Sequence, residues 1–297
     1  MKRLFILSLL ASLVFLFSQY AHAITVGVEI NDYTPTDQDT ILGSAVVPGL
    51  ADNDQVTYSS DTGMKIFVEG PNWRLSLLNL EYTGDYAAGA RGGNYYVALD
   101  HPSATYGGYN SVAADTTIDL RVIDLDYLIP VTTSGPANIV AKFGVRQVSY
   151  EHDLEARYDG SAQLVTQNEK NDLFGVRAGM DLRIPLALND NLSLVGNFAV
   201  SLLTGDSEFT HTESLGNLSR DVTWSSTVPA FDASFGIDYK INFAPRKLHV
   251  WFGYDMLRFE DISTSQTFTD ATSLGSQEQT GNAAGFEGWK LGVSVEF

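Results

Sequence analysis

The chain is 297 residues long, contains no cysteine and carries 36 acidic against 18 basic side chains, a net charge of −18. Missing thiols exclude a disulfide framework, a thiolate metal site and a cysteine nucleophile. The acidity excludes ordinary binding to a phosphate backbone, so no nucleic-acid partner is expected.

The first element in chain order is an export signal. Lys2 and Arg3 precede a largely apolar run from Phe5 to Phe17, and Ala21-His22-Ala23 supplies the small-x-small pattern of a cleavage site. A run of thirteen residues is short for a membrane helix, which needs about 20. A cleaved signal peptide is therefore predicted over 1–23, with one domain over 24–297. Loss of Lys2 and Arg3 leaves 18 − 2 = 16 basic against 36 acidic residues.

The mature chain reads as strands of period two. The first three are predicted at 24–33, 62–70 and 74–84. A fourth covers 116–131, where Ile123, Leu125, Tyr127 and Ile129 share one parity, whereas Ile118, Leu120 and Val122 fall on the other. That reversal predicts a bulge near Val122. The fifth spans 137–158. "LFGVRAGMDLRIPL", "NLSLVGNFAVSL" and "AFDASFGIDYKINFA" give the sixth to eighth, and 247–262 the ninth. The tenth is the terminal "EGWKLGVSVEF", with Trp289, Leu291, Val293, Val295 and Phe297 on one face.

Between these strands, tight turns ("GPNW", "TSGPAN", "LNDN", "APRK") alternate with long polar stretches at 34–61, 85–115, 159–170, 206–222 and 263–286. Ten long strands with that alternation predict an all-β fold: a transmembrane antiparallel up-and-down β-barrel, apolar face to lipid, short turns in the periplasm. Phe243 and Phe297 are placed at the periplasmic girdle, Trp289 and Phe231 at the outer one. The terminal strand ending in Phe297 is the segment expected to engage barrel-assembly machinery. A soluble sandwich or barrel is the competing reading; its strands usually stop at five or six residues.

Parity then assigns a lumen. Lys142, Arg146, Arg177, Asp181, Arg183, Asp232, Asp238, Lys240 and Asp255 are the candidate lining residues, with Glu29, Lys65, Glu69, Asp124, Asp126, Lys290 and Glu296 also inward. Ten strands enclose a narrow interior that ion pairs would partly fill. The acid excess falls on the outward loops and strand tips, where it favours cations or, through divalent ions, contacts lipopolysaccharide.

Catalytic chemistry has weak support. His152 in "YEHDLE" and His211 in "SEFTHTES" stand beside carboxylates near the outer rim and could serve a hydrolase. Surface histidines in acidic segments are the favoured account of them, and His249 has no evident partner. "TPTDQDT" and "ADNDQ" lack a calcium-loop pattern, and "GARGGNYY" lacks the context of a phosphate loop. No catalytic residue, metal or cofactor is expected.

"DLFGVRAGMDLRIPLALNDNLSLVGNFAVSLLTGDSEF" followed by "VPAFDASFGIDYKI" resembles the Legionella-type major outer membrane protein family. The resemblance rests on Phe174, Gly175, Arg177, Gly179 and Asp181, on Leu203 and Gly205, and on Val228, Pro229, Ala233, Gly236 and Tyr239. "DTGMKIFVEG" and the segments around 118–158 are more weakly similar. The resemblance implies a pore-forming protein of a Gram-negative outer membrane without catalytic residues. The expected function is porin-like passive passage of small or cationic solutes. The alternative is a structural or surface-interaction barrel, its acidic loops meeting lipopolysaccharide, ions or a host.

Overall fold

The computed structural model describes residues 24–36, 41–45, 53–59, 61–88, 95–97, 111–131, 135–159, 162–187, 189–214, 218–268 and 277–297. The expected signal peptide lies outside them. Ten strands form the wall: β1 Thr25–Thr36, β2 Asp61–Glu69, β3 Trp73–Ala88, β4 Val112–Val131, β5 Asn138–Tyr158, β6 Gln163–Leu186, β7 Asn189–Glu213, β8 Leu218–Phe243, β9 Arg246–Phe268 and β10 Gln277–Glu296. Each pairs antiparallel with the next, and β1 pairs with β10 from Thr25↔Glu296 to Thr36↔Gly285, which closes the barrel. Closure leaves no edge, as a sheet in lipid requires. Thr57 and Tyr58 extend the sheet beside β3, and Ile41–Ala45, Asn53–Gln55 and Tyr95–Val97 form a small separate sheet.

The apolar parity faces outward over a belt. On β6 it runs Phe174, Val176, Ala178, Met180 and Leu182, with Phe174 56% and Val176 65% exposed. Neighbouring strands continue it through Phe143, Leu125, Phe198, Leu202, Phe235, Phe252 and Leu291. Eleven residues from Phe174 to Ile184, at about 3.3 Å each and tilted by about 40°, rise about 28 Å, close to the ~25 Å apolar band of a membrane barrel. Trp289 and Phe231 are exposed near its upper edge and Phe243 at its lower edge. The Phe297 ring carries the Arg246 guanidinium 4.9 Å from its centre.

Above the belt the pattern inverts. On β4, Ile118, Leu120 and Val122 are buried inside with Asp124 and Asp126, whereas Asp115, Asp119 and Arg121 face out with Leu125 and Tyr127. The register against β3 and β5 runs unbroken through Val122, so the predicted bulge is absent. What changes at Val122 is the surroundings. Below it the outside is lipid and the inside is wet and charged; above it the outside is water and the inside is a dry core. The same handover occurs at Leu77/Leu78 on β3, Phe174/Leu173 on β6 and Leu202/Leu203 on β7. A bulge does occur, on β9 between Phe259 and Ser263, where Asp261 has φ 56°.

Parts of several stretches predicted as long polar connections are instead wall, 263–268 pairing with 277–282 among them. Residues 163–170 and 206–213 pair with each other from Val165↔Glu213 to Lys170↔Glu208. Their polar residues Thr166, Lys170 and Glu208 lie on one side of the sheet, while Val165 and Phe209 are buried on the other. Hydrophilic composition therefore marks a strand wetted on one side, not a loop.

Candidate functional site

The lumen divides into three tiers. The lowest is a cavity of about 560 Å³ lined by eight carboxylates and eight lysine or arginine side chains. The balance leaves its wall with no net preference for either sign of ion.

At its top lies a lattice of ion pairs. Arg146 on β5 forks between Asp124 on β4, at 2.6 and 2.9 Å, and Asp232 on β8, at 2.9 and 2.7 Å. Arg177 on β6 donates to Asp126 at 2.5 Å and Asp232 at 2.7 Å. Asp181 accepts from Lys142 at 2.7 Å and from Arg74 at 2.8 Å; Arg74 also holds Glu69. Arg74 and Asp181 belong to strands three apart, as do Arg146 and Asp232, so these pairs reach across the lumen. Two-sided forks suit guanidinium, whose planar donors match carboxylates bidentately. Lys142, Arg146 and Arg177 are buried.

Nearer the periplasm, Asp238 pairs with Arg183 at 2.5 Å and with His249 Nδ1 at 3.0 Å. His249 thus has the partner that strand-by-strand reading misses, because Asp238 sits diagonally from it on β8. Asp255 accepts from the Tyr33 hydroxyl and from Lys290 at 3.3 Å. Lys240 lines the cavity. Every sequence-assigned lining residue except Lys142 borders that space, and Lys142 meets it through Asp181.

The middle tier is apolar. Tyr33, Leu78, Leu80, Tyr82, Ile118, Leu120, Val122, Val148, Tyr150, Leu173, Leu203, Val228, Leu257, Phe259, Ile262 and Phe286 form one buried cluster drawn from nine strands. The Tyr82 and Phe286 rings stack 5.7 Å apart although β2 and β1 separate β3 from β10 in the wall. The β9 bulge narrows the space further. It brings the Ile262 carbonyl to 3.0 Å from Asn171 Nδ2 on β6, and the Ser263 hydroxyl donates to Glu169 at 3.1 Å. Sequence parity places most of these residues on expected strands and Phe286 in an expected connection, but no sequence signal shows that they meet across the lumen.

The outermost tier holds both candidate histidines. His211 is fully buried, with Nε2 at 2.7 Å from Glu213 and Nδ1 at 3.2 Å from Gln167. His152 Nε2 lies 2.9 Å from the Thr116 hydroxyl and 3.2 Å from the Tyr58 hydroxyl. Burial pushes His152, which lies above the belt, down to about 4 despite Asp153 nearby. On the outer wall at this level Asp119 directly faces Glu81 and Glu151. Partial burial and those like charges raise its carboxyl above the usual range. Among the described residues, no group of three or more His, Asp or Glu is arranged to hold a metal ion.

An apolar belt around a closed antiparallel barrel, with a charged interior at membrane depth, defines an integral membrane β-barrel of the bacterial outer membrane. The model of the Legionella pneumophila major outer membrane protein precursor family matches residues 67–297, and the chain belongs to that family. A search of curated proteins returns no match. Among solved structures the chain is similar to the outer membrane protease OmpT from Escherichia coli, at 10% identity over 93% of this chain and 96% of that one, TM-score 0.48. It is also similar to a major outer membrane protein from Thermus thermophilus, at 13% over 93% and 100%, TM-score 0.31. A third is OprG from Pseudomonas aeruginosa, at 13% over 93% and 96%, TM-score 0.29.

Proposed function

We propose that this outer-membrane barrel is closed at rest and acts as a non-enzymatic structural and surface-interaction protein. The roof carries the reading: aromatic and aliphatic side chains from nine strands meet across the lumen above the arginine–aspartate lattice. An ion entering from below would have to leave a balanced charged cavity for a dry apolar layer, a desolvation of several kcal/mol or more. Function then rests on outward surfaces: the belt toward lipid, and the acidic stem toward lipopolysaccharide bridged by divalent cations. Delivery through the terminal strand to barrel-assembly machinery belongs to the same proposal. The burial of His211 and the enclosure of His152 by hydroxyls support a role in packing rather than hydrolysis.

The second reading is porin-like passive passage of small or cationic solutes, and the 560 Å³ charged cavity favours it. Arg177, Asp181, Asp232 and Asp255 would then be path residues. Planar-bilayer recording separates the two. The closed reading expects no steps from purified protein in molar KCl and discrete steps when Tyr82 and Phe286 are both replaced by glycine. Steady openings of the unaltered protein would give the case to passage.

A further inference from the structure

The periplasm-facing cavity contains an ordered feature that neither reading uses. Two aromatic rings occupy the space over two glycines of the wall. Phe67 covers Gly27, its cross-strand partner, and Trp251 covers Gly292, likewise. A β-carbon at either glycine would collide with the ring above it. The ring centres are 6.0 Å apart at 46°. Glu29 stands between these seats, paired in register with Lys65 on one side and Gly292 on the other.

Most charges lining this cavity are spoken for by the ion pairs above. Glu29 is different: it is only 8% exposed and Oε2 has no hydrogen-bond partner. A buried carboxylate oxygen without a donor is unfavourable, the more so when ionised. Lys65, its register partner, takes part in no ion pair or hydrogen bond among the described residues. Two opposite charges thus sit side by side on neighbouring strands, without a hydrogen bond between them, next to the half-buried Trp251 and Phe67 rings, of which Phe67 already has the Arg74 guanidinium 5.9 Å from its centre.

We infer that this is a binding site for a small ammonium-bearing zwitterion, an amino acid or short peptide, entering from the periplasm. An ammonium group is recognised by a carboxylate combined with aromatic faces, through charge-assisted hydrogen bonding and cation–π attraction. Glu29 receives that end against Trp251, with Phe67, which already carries Arg74, walling the other side. Lys65 receives the carboxylate end, and the spacing of directly paired residues, about 5 Å between β-carbons, suits charges a few bonds apart. The terminal torsion of Glu29 is broad and roughly two-fold, so a half turn presents either oxygen to the ligand. The site lies below the roof and does not depend on whether the roof opens.

Calorimetric titration of the whole mature protein in detergent micelles with glycylglycine tests this. Tetramethylammonium and acetate serve as half-ligands. Saturable binding at one site is expected for the dipeptide, weakened at least about tenfold by Glu29→Gln and by Lys65→Met, with each half-ligand at least about tenfold weaker. Heat-dependent gel mobility of each variant reports barrel formation. If Glu29→Gln fails to fold, Lys65→Met and the half-ligands decide. Absence of saturable binding to the unaltered protein overturns the inference, as does unchanged affinity in a folded variant or a half-ligand that binds as well as the dipeptide. Conductance is not read, so failure here leaves the closed-barrel reading intact, and the reverse.

Discussion

Asp232 shows how tightly single residues are committed in this interior. Its carboxylate takes bonds from both Arg146 and Arg177. Asp232→Asn leaves two buried guanidiniums short of charge, and removing one partner of such a cluster typically costs about 3–5 kcal/mol. The unfolding free energy from urea titration should fall accordingly, while Asp172→Asn on the wetted outer face should change it by less than about 0.5 kcal/mol. His152 makes a pH-dependent contribution. Its folded value of about 4 lies below that of an ordinary histidine, so the unfolded chain binds the proton more readily. Stability is therefore fully present above about 6.5 and is lost as pH falls toward 4, by at most about 3 kcal/mol. Denaturation midpoints across that window should flatten in His152→Gln.

At the scale of a strand, β4 carries the most informative pattern. Asp119 and Leu125 share one parity and both point away from the barrel axis, yet one meets water and the other lipid. Because the chain has no cysteine, single substitutions report directly. A membrane-impermeant maleimide should label Asp119→Cys on intact cells and spare Leu125→Cys. Equal labelling would place the belt elsewhere. Leu125→Arg should cost about 2–4 kcal/mol at mid-depth, and Asp119→Arg less than about 1.

The same strand explains what can and cannot be read from sequence. Alternation at 174–184 and 230–243 is legible because one face is uniformly apolar and the other charged. It identifies strands, lumen-facing charges and the belt together. At 118–122 alternation persists but its meaning reverses, and hydrophobicity alone does not distinguish a side chain against lipid from one against a protein core. The reversal accordingly mimics a bulge. Residues 163–170 and 206–213 mimic loops for a related reason: one polar face and a mixed inner face dilute the period-two signal. Pairings such as Arg146 with Asp232 lie beyond reach, since they depend on which strands face each other across the lumen.

On the scale of the molecule, the barrel is two environments stacked along one wall. The 26 residues of β8 rise about 65 Å at 3.3 Å each and about 40° of tilt, against about 25 Å of apolar band, so more than half of that strand stands outside the bilayer. The outer part encloses a core of the soluble kind, and the membrane part encloses an ion-pair lattice. Disruption should therefore be separable. Leu120→Ala should leave a cavity in the outer core costing about 2–5 kcal/mol. Hydrogen exchange should show that loss in the outer halves of β3 to β7 and leave amides of the belt protected; uniform acceleration would mean the two tiers unfold as one.

The unequal strand lengths have a consequence for what meets the cell from outside. β1 and β2 have 12 and 9 residues, whereas β6 to β9 have 23 to 26, so among the described residues the strand wall is short on one side and tall on the other. On the tall side an antibody or phage fibre approaching the bacterium would meet a stiff, hydrogen-bonded palisade of paired strands. Selection could rewrite the tips freely, but escape at the palisade would demand changes that keep every cross-strand neighbour in place. That side of the molecule is where recognition should prove most durable.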